Sequence, residues 1–222
     1  IVSHAAAADP SIAFCVVLGG PGVTGAEILR EQSARIARVN GATEADIERT
    51  LAMMERVFPV LASSLEGVEF EAEAQLVLAE LWHGMTEEER EHTGLDFAGS
   101  CEQFLRGFAT PWMRYFLRYD PRPDFERIAV PTLAMIGMLD LQVPWEQNLP
   151  EIWKAFVRGG NHDIEIVALP SLNHLFQTAQ TGSPNEYAAI EETFAPVALH
   201  RLTAWLGRWR SAWHAESAAA GE

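Results

Sequence analysis

Three apolar runs, one near the start of the chain and two beyond residue 129, carry the strand pattern of this sequence. Ile12 to Leu18 (Ile-Ala-Phe-Cys-Val-Val-Leu) is apolar at every position and closes at Gly19-Gly20-Pro21-Gly22. A run without polar alternation predicts a parallel strand buried on both faces. Such a strand wants a neighbour on each side, because an exposed apolar edge invites aggregation. Val130–Ile136 and Ile164–Leu169 predict two further strands. Each leads into a loop that carries a titratable side chain.

Between the first and second runs, from about Thr24 to Leu117, the period changes. Ile47, Leu51, Met54, Phe58 and Leu61 recur at helical spacing, and Thr43 with Asp46 resembles a capping signal ahead of them. Phe70, Ala74, Val77, Leu78 and Leu81 predict another helix. Thr86 with Glu89 offers a capping box, and Phe97, Phe104, Phe108, Trp112 and Phe116 continue the apolar pattern. No strand signal interrupts this block, which therefore reads as a helical insertion over a sheet. Elsewhere, Ile1–Ala8 reads as the tail of a helix ended by Asp9-Pro10. A helix is expected around Glu151–Val157, ended by Gly159-Gly160-Asn161. The last helix should begin near Pro196, with Ala198, Leu202, Trp205 and Trp209 on its apolar face, and fray from Ala215.

Composition narrows the function. With 31 acidic residues against 16 Lys and Arg, the formal net charge is −15 and no basic patch is visible. That argues against nucleic acid as a partner, and the acidity reads as a solvated surface. The two cysteines make no disulfide framework, and Cys15, inside an apolar run, reads as a small buried hydrophobe. No apolar stretch reaches the roughly 18 residues of a membrane span. No signal peptide is visible, but the chain opens on Ile1 rather than Met, so its compartment stays open.

The candidate chemistry lies in two loops, Met138-Leu139-Asp140-Leu141-Gln142-Val143-Pro144 and Pro170-Ser171-Leu172-Asn173-His174-Leu175-Phe176. Loops at the carboxyl ends of parallel strands are where α/β folds keep their reactive groups. Asp140 as the orienting acid and His174 as the general base are a pair suited to activating a hydroxyl. His titrates near neutrality, and Asp fixes its tautomer. The hydroxyl itself is missing, since no Ser sits in a Gly-x-Ser-x-Gly setting. Other candidates are weaker. Ser3-His4 lies in an Ala-rich helix without flanking glycines, and Ser100-Cys101 reads as a helix start. His162-Asp163 reads as a turn without a third metal ligand, and His83 and His92 flank an acidic solvated run. Gly19-Gly20-Pro21-Gly22 lacks the Lys of a phosphate loop. No cofactor or metal is expected.

Gly19-Gly20-Pro21-Gly22, Asp140-Leu141-Gln142-Val143-Pro144 with Asn148-Leu149-Pro150, and Asn173-His174-Leu175-Phe176-Gln177-Thr178-Ala179 resemble a group of bacterial α/β-hydrolases, esterases or dienelactone-hydrolase-like proteins. The likeness runs from Ile1 to about Trp209. In that family the triad follows the chain order Ser, Asp, His. The resemblance implies that Ile12–Leu18 is strand six, Val130–Ile136 strand seven and Ile164–Leu169 strand eight. It makes Asp140 the acid and His174 the base. It implies an α/β fold of partial hydrolase type, three C-terminal strands of a mostly parallel sheet with a large helical cap. Residues 1–22 and 120–212 would be the core, 23–119 the cap, and 213–222 a flexible tail. A Gly-His-Ser-Glu-Gly-Gly elbow would sit just before Ile1, so strands one to five, the nucleophile and the oxyanion loop are not in this chain. The implied substrate is a small-molecule carboxylic ester, hydrolysed through an acyl-enzyme.

Two other readings stand beside it. The chain fits a non-catalytic remnant or binding module of the same fold, and the same triad supports peptidase or acyltransferase chemistry. The missing N-terminal half or a partner chain would supply the absent strands. Oligomeric state and substrate specificity are not legible in the residues.

Overall fold

A computed structural model of the chain describes residues 2–9, 11–93 and 96–219, with side chains at 92, 93 and 209–219 outside the description. In chain order the elements are α1 (Val2–Ala8), β1 (Cys15–Leu18), α2 (Gly25–Val39), α3 (Glu44–Leu61), α4 (Gly67–Gly84), α5 (Glu87–Thr93), α6 (Phe97–Phe108), α7 (Pro111–Arg118), α8 (Arg122–Phe125), β2 (Thr132–Gly137), α9 (Trp145–Arg158), β3 (Ile164–Leu169), a 3-10 turn at Pro184–Ala189, and α10 (Pro196–Ala219). The chain forms two compact units, Ile1–Gly22 with Pro121–Glu222, and Val23–Asp120.

The first unit is α/β. Its three strands are all parallel, in the order β1-β2-β3. Central β2 is buried at all six positions. Alternate side chains point to opposite faces of the sheet. Cys15, Val17, Ala134 and Ile136 pack with Phe125 of α8, with Ile128 between α8 and β2, and with Leu149, Ile152 and Phe156 of α9. Leu133 and Met135 pack on the other face with Ala198 and Trp205 of α10. Two helical layers thus sandwich the sheet, the arrangement that buries both faces of parallel strands.

β1 departs from expectation. It spans four residues instead of seven and, among the described residues, has a neighbour on one side only, so it is an edge strand rather than a fully buried one. The register puts Cys15 opposite Thr132, and hence Phe14 opposite Pro131. Proline has no N–H to extend a ladder, which ends both strands there and moves the start of β2 from the expected Val130 to Thr132. Phe14 instead meets Trp205 edge-on, ring centroids 5.9 Å apart. Cys15 donates to Pro131 and Gly19 to Met135. Alternation therefore turns the amides of Val16 and Leu18 to the open edge, where no described residue accepts them.

α9 begins six residues before the expected Glu151. Pro150 lies within it, removing one helical hydrogen bond without ending the helix. The expected tail from 213 falls on residues whose side chains, and at 220–222 whose backbone, lie outside the description; α10 runs to Ala219.

Helices are the only regular elements among the second unit's described residues. α2 and α3 begin with reciprocal capping boxes, Thr24 with Glu27 and Thr43 with Asp46. Thr86 and Glu89 likewise bond each other's backbone ahead of α5. The apolar series from Phe97 to Phe116 runs over two helices, α6 and α7, which divide where Thr110 caps α7 and Pro111 occupies its first turn. Val57, Val60, Leu61, Phe70, Ala74 and Leu117 form this unit's own core. Among the described residues no helix is long and apolar enough to cross a membrane.

Candidate functional site

The carboxyl ends of β2 and β3 bring Asp140 and His174 together. Beyond β2 the chain turns sharply, Asp140 donating its backbone N–H to the Gly137 carbonyl at 3.1 Å. Gly137 leaves no room for a side chain, since a Cβ would stand 2.1 Å from the Leu172 carbonyl oxygen. That close approach binds the two loops to each other. Met138 donates to Leu169, and Leu139 to Leu172. Asp140 is 1% exposed. Its Oδ1 accepts the backbone amides of Gln142 at 2.9 Å and Val143 at 2.8 Å. Its Oδ2 lies 2.8 Å from His174 Nδ1.

The His174 loop is held with equal care. Ser171 and Phe176 adopt left-handed backbone at φ 60° and 58°, an arrangement costly for residues other than glycine. Asn173, fully buried, offsets it: its Oδ1 accepts from Leu175 and Gln177, and its Nδ2 donates to Gln177 Oε1. Leu172 and Phe176 anchor the loop in the core around α10. The His174 side chain stays 29% exposed.

Chemistry follows from this geometry. An ionised carboxylate can only accept, so the 2.8 Å contact puts the imidazole proton on Nδ1 and leaves the lone pair on Nε2. Two backbone donors meet the second carboxylate oxygen, so the buried charge is both paired and hydrogen-bonded. A neutral imidazole with a fixed tautomer is ready to take a proton at Nε2. No hydroxyl or thiol among the described residues hydrogen-bonds that ring.

Gly19, at the end of β1, closes the third side. Its φ is +57°, and a Cβ there would lie 3.2 Å from His174 Cε1 and 3.7 Å from Asp140 Oδ2. Gly22 is fixed farther along the same loop by Asn148 Oδ1 of α9, which accepts its amide at 2.8 Å. The glycine-rich turn therefore seats backbone against the imidazole.

The remaining candidates lie apart from this pair. Ser3 is buried in α1, and His4 Nδ1 lies 3.3 Å from Asp124 Oδ2. Ser100 and Cys101 sit in α6 of the helical unit, Cys101 buried and its thiol pushed up by that burial. Burial also raises the Cys15 thiol, to about 11, which makes it a poor nucleophile. Asp163 serves the sheet, its carbonyl accepting from Thr132. His83 stands in the last turn of α4, and the His92 side chain lies outside the described residues. No group of three His, Cys, Asp or Glu able to hold a metal occurs among the described residues. In the helical unit, Trp112 and Phe108 are exposed while Phe70 is core.

Sequence reasoning missed Gln142 and Tyr187. The Gln142 side chain donates to the Tyr187 hydroxyl at 3.0 Å. Nothing in the local pattern around Tyr187 marks it, because its place depends on a turn packed against the Asp140 loop. Comparison of the chain with protein-family models, with curated proteins and with solved structures finds no match.

Proposed function

We propose that the chain is the C-terminal part of a serine α/β-hydrolase acting on carboxylic esters, its nucleophile supplied by sequence upstream of Ile1. One observation carries the reading: the buried, doubly amide-bound Asp140 lies 2.8 Å from His174 Nδ1 and leaves Nε2 available. The open edge of β1 agrees with it, since that edge would accept the strand leading to a nucleophile. In this reading Nε2 takes the proton of the Ser hydroxyl as it attacks the ester carbonyl, and Asp140 stabilises the imidazolium that forms. The imidazolium then protonates the departing alcohol. Water, deprotonated by the same Nε2, releases the acid from the acyl-enzyme. Residues 23–119 act as a cap that shapes substrate choice.

A short-chain chromogenic ester tests this on two proteins, the 222-residue chain and the same chain extended by its upstream coding sequence. The extended protein should turn over and the shorter chain should not. In the extended protein, His174→Ala should lower kcat by roughly 10⁶ and Asp140→Asn by roughly 10⁴. Turnover by the 222-residue chain that His174→Ala abolishes would place the nucleophile inside it. A folded extended protein without turnover would favour the non-catalytic binding module.

A further inference from the structure

The Asp140 loop meets a third segment, residues 181–190, that the chemistry above does not use. Gly182 enters it at φ +78°, packed so closely on the Asp140 turn that a Cβ would stand 1.9 Å from the Leu139 carbonyl oxygen. Glu186 folds back, its Oε1 accepting the Gly182 amide at 2.6 Å. Ser183 caps the 3-10 turn by accepting from Asn185. These contacts fix the position of Tyr187, which presents its hydroxyl to the Asp140 loop. There the oxygen accepts from Gln142 Nε2 at 3.0 Å. The backbone amide of that same Gln142 holds Asp140 Oδ1 at 2.9 Å.

We propose that Tyr187 is a positioning residue for the acid of the pair: its hydroxyl oxygen holds the Gln142 side chain, and the backbone amide of that same Gln142 orients the Asp140 carboxylate that faces His174. This deepens the proposed hydrolase and rests on that reading for its catalytic meaning. Gln142 thereby serves at both ends, its backbone orienting the carboxylate and its side chain bonded to the phenol. The distinction from ordinary packing is chemical. A ring that merely fills space needs no oxygen, whereas a ring that holds Gln142 works through it. Burial first, opposed by the Gln142 hydrogen bond, raises the Tyr187 phenol above its usual range. The oxygen therefore stays protonated, a neutral acceptor, at neutral pH.

The test reads the His174 Nδ1 proton by NMR on the whole 222-residue chain, where its solvent exchange reports how firmly Asp140 holds it. Loss of one hydrogen bond should speed that exchange about five- to tenfold in Tyr187→Phe, with near-UV circular dichroism unchanged. Gln142→Leu keeps the amide that binds Asp140 and removes only the side-chain donor. It should give a similar acceleration, and the double variant should add little to either. Exchange unchanged in Tyr187→Phe but faster in Tyr187→Ala would reduce Tyr187 to packing and overturn the proposal. A wild-type chain without a protected Nδ1 proton would instead sink the Asp–His pair, and the proposed function with it. A positive Tyr187 result in a protein that never hydrolyses esters would leave the positioning of Asp140 intact and refute only the hydrolase.

Discussion

An alanine at position 19 would meet two obstacles at once. Its backbone must stay at φ +57°, which costs a residue with a Cβ about 1–2 kcal/mol. Its methyl would also press on the imidazole, 3.2 Å from Cε1 and 3.3 Å from Nδ1. Gly19→Ala should therefore lower the urea-unfolding free energy by roughly that amount and speed exchange of the His174 Nδ1 proton. Unchanged stability together with unchanged exchange would refute the close seat inferred for Gly19. At this scale the sequence was informative about Asp140 and His174, because each follows an apolar run whose strand character local composition dictates. Tyr187 was illegible for the opposite reason. Its role comes from Gly182 meeting Leu139, a contact between segments that no local pattern encodes.

Among the elements, β1 joins ladder pairing on one side to an open edge on the other. The amides of Cys15 and Gly19 are bonded to β2, and alternation directs Val17 the same way. Val16 and Leu18 point outward. Hydrogen exchange followed residue by residue should show Val17 and Gly19 protected, with Val16 and Leu18 exchanging far faster. Equal protection at all four would mean that something covers the edge. Seven consecutive apolar residues suggested a longer, doubly flanked strand, and Pro131 on the neighbouring strand is what shortened it. A proline's effect on its partner depends on register, and register is not visible before the fold is known. The capping boxes of α3 and α5 were legible because a cap is a contact between residues three apart.

Taken as a whole molecule, the chain has two cores that share no residue. One lies on the two faces of the sheet, and the other gathers α3, α4 and α7 around Leu61, Phe70 and Leu117. Units with separate cores need not unfold together. Urea titration followed by hydrogen exchange should show the amides of 23–120 losing protection at a different denaturant concentration from those of Thr132–Gly137. One coincident transition would mean that the units are thermodynamically a single body. The sequence changes from strand to helical period near Thr24 and back near Val130, and the compact units divide at Gly22/Val23 and at Asp120/Pro121. The packing within the helical unit was less legible, since Val57 and Val60 belong to its core alongside the expected Leu61.

The pairing of Leu18 with Met135 across the helical unit has a kinetic side. Closing a flexible loop of about 100 residues costs roughly 4 kcal/mol of chain entropy before the first ladder bond forms. If 23–120 folds first, the slack chain between β1 and β2 becomes a short compact bridge, and most of that barrier disappears. Helices with strong local caps form early, whereas parallel strands distant in sequence pair late. On that order assembly would run from the helical unit to the sheet, and Gly19 would reach the imidazole of His174 only at the final step. The helical block would in this sense be an internal folding aid for the sheet that surrounds it in sequence.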